Sequence, residues 1–403
     1  MTSSSSNSEQ NKQSDPKGRH LLMPLAFGNF AIGIGAFIVI GILSPMADSL
    51  GLTKADAGWV MTFYALSYAL TSPILVALTG GFDRRNLMIV ALGIFFVAML
   101  ASAFATTPEP VFIARVVAAF GAGMYTPNAA AVAASSVAPE RRAMALATVF
   151  SGIAIAQVLG VPAGSYLGYT LGWQSAFWAV AVLLVIAMIW LLRVVPRGIA
   201  FQPTSLAVLG RTLLTPVPMV AVTITATMIS SYYVMFTFIA PIVEWRLGMG
   251  RDGVTIILFV LGVGAVLGNW LGGYLTNKIG PERTIMVIAL TQLIFLPAAT
   301  LYPFGLVDGA ILFFIWSTIT WGFIVPQQTR LIKAMPHAQN VILALNAACI
   351  YIGAAVGSAI GGTFYRIFGI EWLGPVGAVV AFLGALHLAL SMRQFRIAER
   401  VTA

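Results

Sequence analysis

Cysteine is almost absent from this chain: Cys349 stands alone in an apolar run, so no disulfide framework can form. Histidine is nearly as scarce. His20, His337 and His387 are scattered, no metal-ligand spacing occurs, and no metal is expected. Charge is thin too, at 9% of 403 residues, where soluble domains carry roughly a quarter. No phosphate loop and no nucleophile–base constellation appears, so neither a cofactor nor an enzymatic site is expected. The run GVGAVLG, with Gly262, Gly264 and Gly268, follows no strand and belongs to a helix. No apolar core precedes residue 21, so no cleaved signal peptide is expected.

What is abundant is apolar side chain, 59% of residues with a mean hydropathy of +0.92. No soluble fold hides that much, which points to an all-α membrane protein. Apolar runs of about 20 residues, enough to cross a bilayer as helix, recur twelve times. They lie near 21–45, 57–78, 86–106, 110–136, 144–168, 173–193, 217–241, 253–275, 284–302, 309–333, 341–364 and 373–391. The basic residues set an orientation. With both termini cytoplasmic, 17 of the 22 Lys and Arg fall on that side and four opposite, leaving Arg115 alone inside the membrane. The acids split evenly, so the net charge of +9 reads as a positive-inside bias and not as a nucleic-acid surface.

The two halves echo each other at offsets of 194–199 residues. Pro45 and Gly51 match Pro241 and Gly248; Asp83-Arg84 matches Asn277-Lys278; Pro127-Asn128 matches Pro326-Gln327. Gly160, Gly164 and Gly172 match Gly357, Gly361 and Gly369. Such spacing predicts two pseudo-symmetric six-helix bundles in the same orientation, related by an axis along the membrane normal. The expected organisation is a disordered tail over 1–20, bundles over 21–193 and 217–391, a cytoplasmic linker over 194–216 and a tail over 392–403.

On these residues the chain resembles the major facilitator superfamily, and more narrowly its bacterial twelve-span drug:proton antiporters, including arabinose-efflux and sugar-efflux relatives. Thr79-Gly80-Gly81-Phe82-Asp83-Arg84-Arg85 stands where that family carries its loop after span two. Arg115 with Gly121 and Gly123 matches the span-four motif, and Gly160-Val161-Pro162-Ala163-Gly164 the span-five antiporter motif. The match departs at three places: Thr79 replaces the first glycine of a shortened loop, as in the sugar-efflux branch; Val161 separates the usual Gly-Pro pair; and Ala36 stands where many relatives carry a span-one glutamate.

Each motif has two readings. Asp83-Arg84-Arg85 is either a solvated positive turn or, as the resemblance implies, a latch between bundles made by Asp83 and Arg84. Gly160, Pro162 and Gly164 either let helices pack closely or serve antiport, and the two are compatible. Arg115 has three open readings: snorkelling or pairing with Asp48, a network with Asn29, Gln157 or a tyrosine, or contact with an anionic substrate. No acid lies mid-span, so proton coupling rests on the resemblance alone.

The resemblance also implies a central cavity. Candidate lining residues are Asn29, Tyr64, Tyr68, Tyr125, Asn128, Gln157, Tyr232, Tyr233, Trp316, Trp321, Gln327 and Asn346, with Asn269 and Tyr351 beside them. About half of these are expected to be packing or interfacial residues instead. His387 is read as a packed neutral histidine. The expectation is a monomeric secondary transporter of the bacterial inner membrane. It exports small neutral or weakly anionic molecules by alternating access, with the proton as coupling ion. The alternatives are a facilitator or importer of a small anionic metabolite, and a non-transporting sensor of the same fold.

Overall fold

A computed structural model of the protein describes residues 16–79, 81–138, 141–198, 214–335 and 339–402. Among them there are twelve helices long and apolar enough to cross a membrane, and no strand. Lipid offers backbone groups no partners, so a helix that satisfies its own is the form such runs must take. Spans one to six are His20–Gly41, Lys54–Leu78, Arg84–Ala103, Pro108–Ser135, Met144–Leu171 and Gln174–Val194. Spans seven to twelve are Pro216–Leu247, Arg251–Ile279, Pro281–Leu301, Leu306–Ala334, Val341–Phe368 and Ile370–Gln394.

The expected tails differ in part. Helix already begins at Pro16, and the last helix, Leu373–Thr402, continues through most of 392–403. Residues 1–15 of the expected N-terminal tail and 199–213 of the expected linker lie outside the described residues.

The repeat is visible in backbone detail. Pro45 has no N–H to give the carbonyl one turn earlier, and the helix breaks at Ile42 (φ −111°, ψ 12°) before resuming over Leu43–Leu50. Span seven breaks at the equivalent Phe238 (φ −105°, ψ 22°), ahead of Pro241. Both short helices end on a left-handed glycine, Gly51 (φ 65°) and Gly248 (φ 62°), a conformation that side chains with a Cβ resist. The carbonyls freed by proline are satisfied locally. Ser165 donates to Gly41 at 2.7 Å, and Ser72 donates to Gly123, the carbonyl opposite Pro127, at 3.0 Å. Ahead of Pro162, span five widens into a π-helical turn over Ala156–Gly160, a known way to absorb a proline.

Inside each bundle, glycines bring helices together. A Cβ added at Gly152, Gly160, Gly164 or Gly168 of span five would meet Ala26, Ile34, Ile38 or Ile42 along span one. The equivalent stripe in span eleven, Gly353, Gly357 and Gly361, lies against Ala226, Ser230 and Val234 of span seven. Spans one and five thus pair as spans seven and eleven do, the first place where the repeat becomes packing.

A Gly357→Val variant is expected to lose about 1–3 kcal/mol by overpacking. Gly93→Ala, where an added Cβ meets nothing within 4 Å, should match or slightly exceed the parent. Thermal unfolding of the purified protein in detergent checks both.

Candidate functional site

Arg115 is fully buried, where a lone charge costs several kcal/mol unless compensated. Its compensation is backbone. Nη1 and Nη2 donate to the carbonyls of Gly35 and Ala36 in span one, each at 2.7 Å, and the guanidinium lies 4.5 Å from the ring centre of Tyr64 in span two. Carbonyl dipoles and an aromatic face supply the negative potential that a carboxylate would otherwise give. Arg115 therefore ties spans one, two and four together, and one of its partners is the carbonyl of Ala36. Of its three readings, the tyrosine contact is the one this geometry contains; no bond to Asp48, Asn29 or Gln157 accompanies it.

Tyr64 leads to the seam between the bundles. Tyr68 stacks on Tyr351 of span eleven with ring centres 3.7 Å apart, and Tyr64 meets Tyr351 edge-on at 6.4 Å. From there the contact of spans two and eleven climbs away from the termini. Thr62 donates to the Ala355 carbonyl at 3.5 Å, Ser358 to the Gly58 carbonyl at 2.9 Å, and Arg366 lies 3.6 Å from Asp56.

A second seam joins spans five and eight. Gly262 of span eight packs on the backbone of Gln157 and Val158 at the π-helical turn. Further from the termini, Arg251 lies over the ring of Tyr166, and Glu244 of span seven receives both Lys54 (2.7 Å) and the Tyr169 hydroxyl (2.6 Å). Both seams reach from the far face to mid-membrane. On the termini side of that level no ion pair or ring contact joins the bundles between described residues. A cavity of about 20 Å³ lies beside the second seam, lined by Phe37, Gln157, Val161, Phe236, Leu258 and Gly262 of spans one, five, seven and eight, with room for about one water.

The remaining candidates divide between seam and interior. Tyr233 packs edge-on against Tyr232 and Phe236 in span seven. Tyr232 is stacked between Phe236 and Trp316, and the Trp321 Nε1–H points at its hydroxyl at 3.4 Å. Trp316 is fully buried and donates to Gln292 at 2.7 Å, inside the second bundle. Tyr125 donates to the Leu25 carbonyl at 3.1 Å, inside the first. Asn269 turns back on its own helix.

The amides form two related clamps. Asn29 donates to the Val149 carbonyl and accepts from Thr126, joining spans one, four and five. At the equivalent place Gln327 donates to Ala221 and Thr225, whose hydroxyl donates to Asn346, joining spans seven, ten and eleven. Asn29 corresponds to Thr225 and Val149 to Asn346, so the clamp is conserved in position while its polar atoms change owner. Both sit beside the span-four and span-ten prolines, where freed backbone needs support.

The loop after span two also bonds inside its own bundle. Asp83 caps span three by accepting from Asn86 N–H at 3.0 Å and accepts the Gly198 N–H at 2.5 Å. Arg84 donates to Asn128 at 2.5 Å and Arg85 to the Leu192 carbonyl at 2.6 Å. The Asn86 N–H, then Gly198 and the charges of Arg85 and Arg197, hold the Asp83 carboxyl below its ordinary value of 3.8.

Lys54, Tyr169 and Glu244 were not among the candidates. The available signal was that the expected topology puts Lys54 and Glu244, opposite in charge, on the same membrane face.

Comparison with known proteins gives one picture. The family model for the Major Facilitator Superfamily matches residues 25–346. A Bacillus subtilis protein described as an uncharacterized MFS-type transporter, YbcL, is 31% identical over 368 residues, covering 90% of this chain and 94% of its own. The Escherichia coli K12 inner membrane transport protein YdhP is 28% identical over 376 residues, covering 93% and 96%. Among solved structures, a bacterial homolog of the human lysosomal transporter Spinster, inward-facing and unoccupied, shares the fold with a TM-score of 0.77 at 17% identity. That match covers 95% of this chain and 98% of the other.

Asp83→Ala is expected to cost about 0.5–2 kcal/mol through the lost cap. Because the folded-state value is depressed, that cost should be present above the ordinary value of 3.8 and fade as pH falls through the folded value. Paired thermal melts of parent and variant at neutral and acidic pH check it.

Proposed function

This chain belongs to the Major Facilitator Superfamily, and we propose on that premise that it exports small organic molecules by alternating access, coupled to proton influx. Membership makes it a multi-pass membrane transporter of a small-molecule substrate, and its relatives are transporters, not enzymes. The observation that carries the mechanism is the one-sided seam. Among the described residues the bundles are joined by ion pairs and ring contacts from the far face to Tyr68–Tyr351 and Gly262 and by none below, which supports a carrier open toward the side of its termini.

The basic-residue bias supports a cytoplasmic position for that side, and YdhP supports an inner-membrane location. The bundle boundaries at 21–193 and 217–391 are those of the two rocking bodies, and the carrier works as a monomer. Tyr68, Tyr233 and Trp321, with Tyr351, form the substrate-facing surface, while Tyr64, Trp316, Tyr125 and Tyr232 support it from within. Asn29, Asn128, Gln327 and Asn346 hold neighbouring helices together, and Gln157 lines the small cavity. Aromatic faces beside a cation, with no carboxylate mid-span, favour neutral or weakly anionic substrates over cationic ones. Export and proton coupling draw on the span-five sequence around Gly160, Pro162 and Gly164; Asp83 and Arg84 latch the bundles in the opposite conformation. A facilitator or importer of a small anionic metabolite is the second reading, favoured by Ala36 at the position of the usual acid.

The test is flux in proteoliposomes across a panel of neutral, weakly acidic and cationic aromatic compounds, with and without an imposed pH gradient. Gradient-driven movement of a neutral or weakly acidic compound is expected; movement that ignores the gradient contradicts proton coupling. Arg115→Ala should lower flux at least about tenfold, the worth of hydrogen bonds to a charged group, while the protein still reaches the membrane. Undiminished flux would remove Arg115 from the mechanism.

A further inference from the structure

Among the described residues no acid lies mid-span, but one carboxylate is shared between the bundles and mostly withdrawn from water. Glu244 sits on the last turn of span seven, beyond the break at Phe238. Its Oε2 accepts from Lys54 at the start of span two, and its Oε1 from the hydroxyl of Tyr169 at the end of span five. Both donors belong to the first bundle, so one side chain clasps two elements of the opposite body. Its side chain is 18% exposed; the other carboxylate that pairs across the seam, Asp56, is 35% exposed and holds Arg366 at a looser 3.6 Å.

From this geometry we infer that Glu244 is a proton-binding site that works the far-side gate: ionised, it clasps the bundles shut, and protonated, it releases them. The inference rests on the alternating-access reading. An ionised carboxylate can accept both bonds and attract the Lys54 ammonium. Binding one proton from the far-side solution removes the charge, turns one oxygen into a donor and leaves Lys54 without its counter-charge at a partly buried position. Opening then rehydrates Lys54, so protonation favours the open state and the open state favours protonation, as linkage requires. The break at Phe238, like its counterpart at Ile42, lets the short helix carrying Glu244 swing without unpacking the membrane-embedded part of span seven.

The other charges around the clasp are accounted for. Asp48, on the short helix after span one, lies near Tyr169. Tyr365 of span eleven lies near both Glu244 and Glu371. Arg251 is engaged by Asp252 and by the Tyr166 ring, and Arg246 by the Thr300 carbonyl and the Trp245 ring. Lys54 is thus the cation that responds directly to the charge on Glu244.

The experiment places spin labels at Ser49→Cys and Val307→Cys, exposed far-face positions on opposite bundles, in a Cys349→Ser background. Distances are read by double electron–electron resonance in lipid nanodiscs. Moving from about pH 7 to about pH 3.5, below the ordinary glutamate value of about 4.3, should raise the long-distance population about threefold or more. Glu244→Gln should show that population at both pH values, with no further response. Lys54→Met, which leaves the glutamate in place, should do the same and covers a failure of the first variant to fold. Asp56→Asn should keep the pH response. A parent that ignores pH while Glu244→Gln widens it, or a Glu244→Gln variant that responds as the parent does, overturns the proton site and leaves the transport reading standing. One short distance in every variant at both pH values would instead remove the rocking motion, and with it the transport reading.

Discussion

Inside a bilayer a polar group has no water to fall back on, and every buried donor, acceptor or charge must be met by the chain itself. That constraint explains the placement of most polar side chains here. The Arg115 guanidinium sits against two carbonyls of span one and the face of Tyr64. Ser165 and Ser72 each reach a carbonyl that proline has freed. The Asn29 clamp and its counterpart around Gln327 hold three helices apiece. All of these bonds close within one bundle. These bonds tie each six-helix unit together from within, which lets it move as a body.

Apart from Gly262 against the span-five backbone, the contacts between the bundles are of another kind. Inside them, glycine stripes press helix backbones together, and a single added Cβ would collide. Across the seams stand the partly buried Lys54–Glu244 pair, the more exposed Arg366–Asp56 pair, worth about 0–1 kcal/mol, and stacked tyrosines, worth about 0.5–1.5 kcal/mol beyond their buried area. A few such contacts hold one conformation without preventing its exchange. The prolines and the π-helical turn fall where the two kinds of contact meet, at Ile42, Phe238 and Ala156–Gly160. Stiff bundles, weak seams and bends at their junctions are the mechanical requirements of a rocking carrier.

Much of the architecture was legible because lipid imposes coarse rules. Run length gave twelve crossings, and the 194–199 offsets gave two related halves, since proline and glycine mark backbone events that survive sequence drift. The pairings of Gly160 with Gly357 and of Pro45 with Pro241 reappear as the same helix contacts and the same breaks. The surroundings of Arg115 were not legible, because its partners are main-chain carbonyls, which leave no trace in a sequence. Nor could sequence separate Trp316, bonded to Gln292 within a bundle, from Tyr68, stacked across the seam; both are aromatic residues in apolar runs. Lys54 and Glu244 lie 190 positions apart, and only the joining of the two bundles makes them neighbours.

If the seams are separable joints and the bundles the moving bodies, stapling a seam must stop the cycle without damaging either bundle. Cysteines replacing Thr62 and Ala355, in a Cys349→Ser background, would place a disulfide across the contact of spans two and eleven. The account predicts that oxidation abolishes substrate flux, that reduction restores it, and that thermal stability does not fall. Flux that persists with the staple quantitatively formed would contradict it.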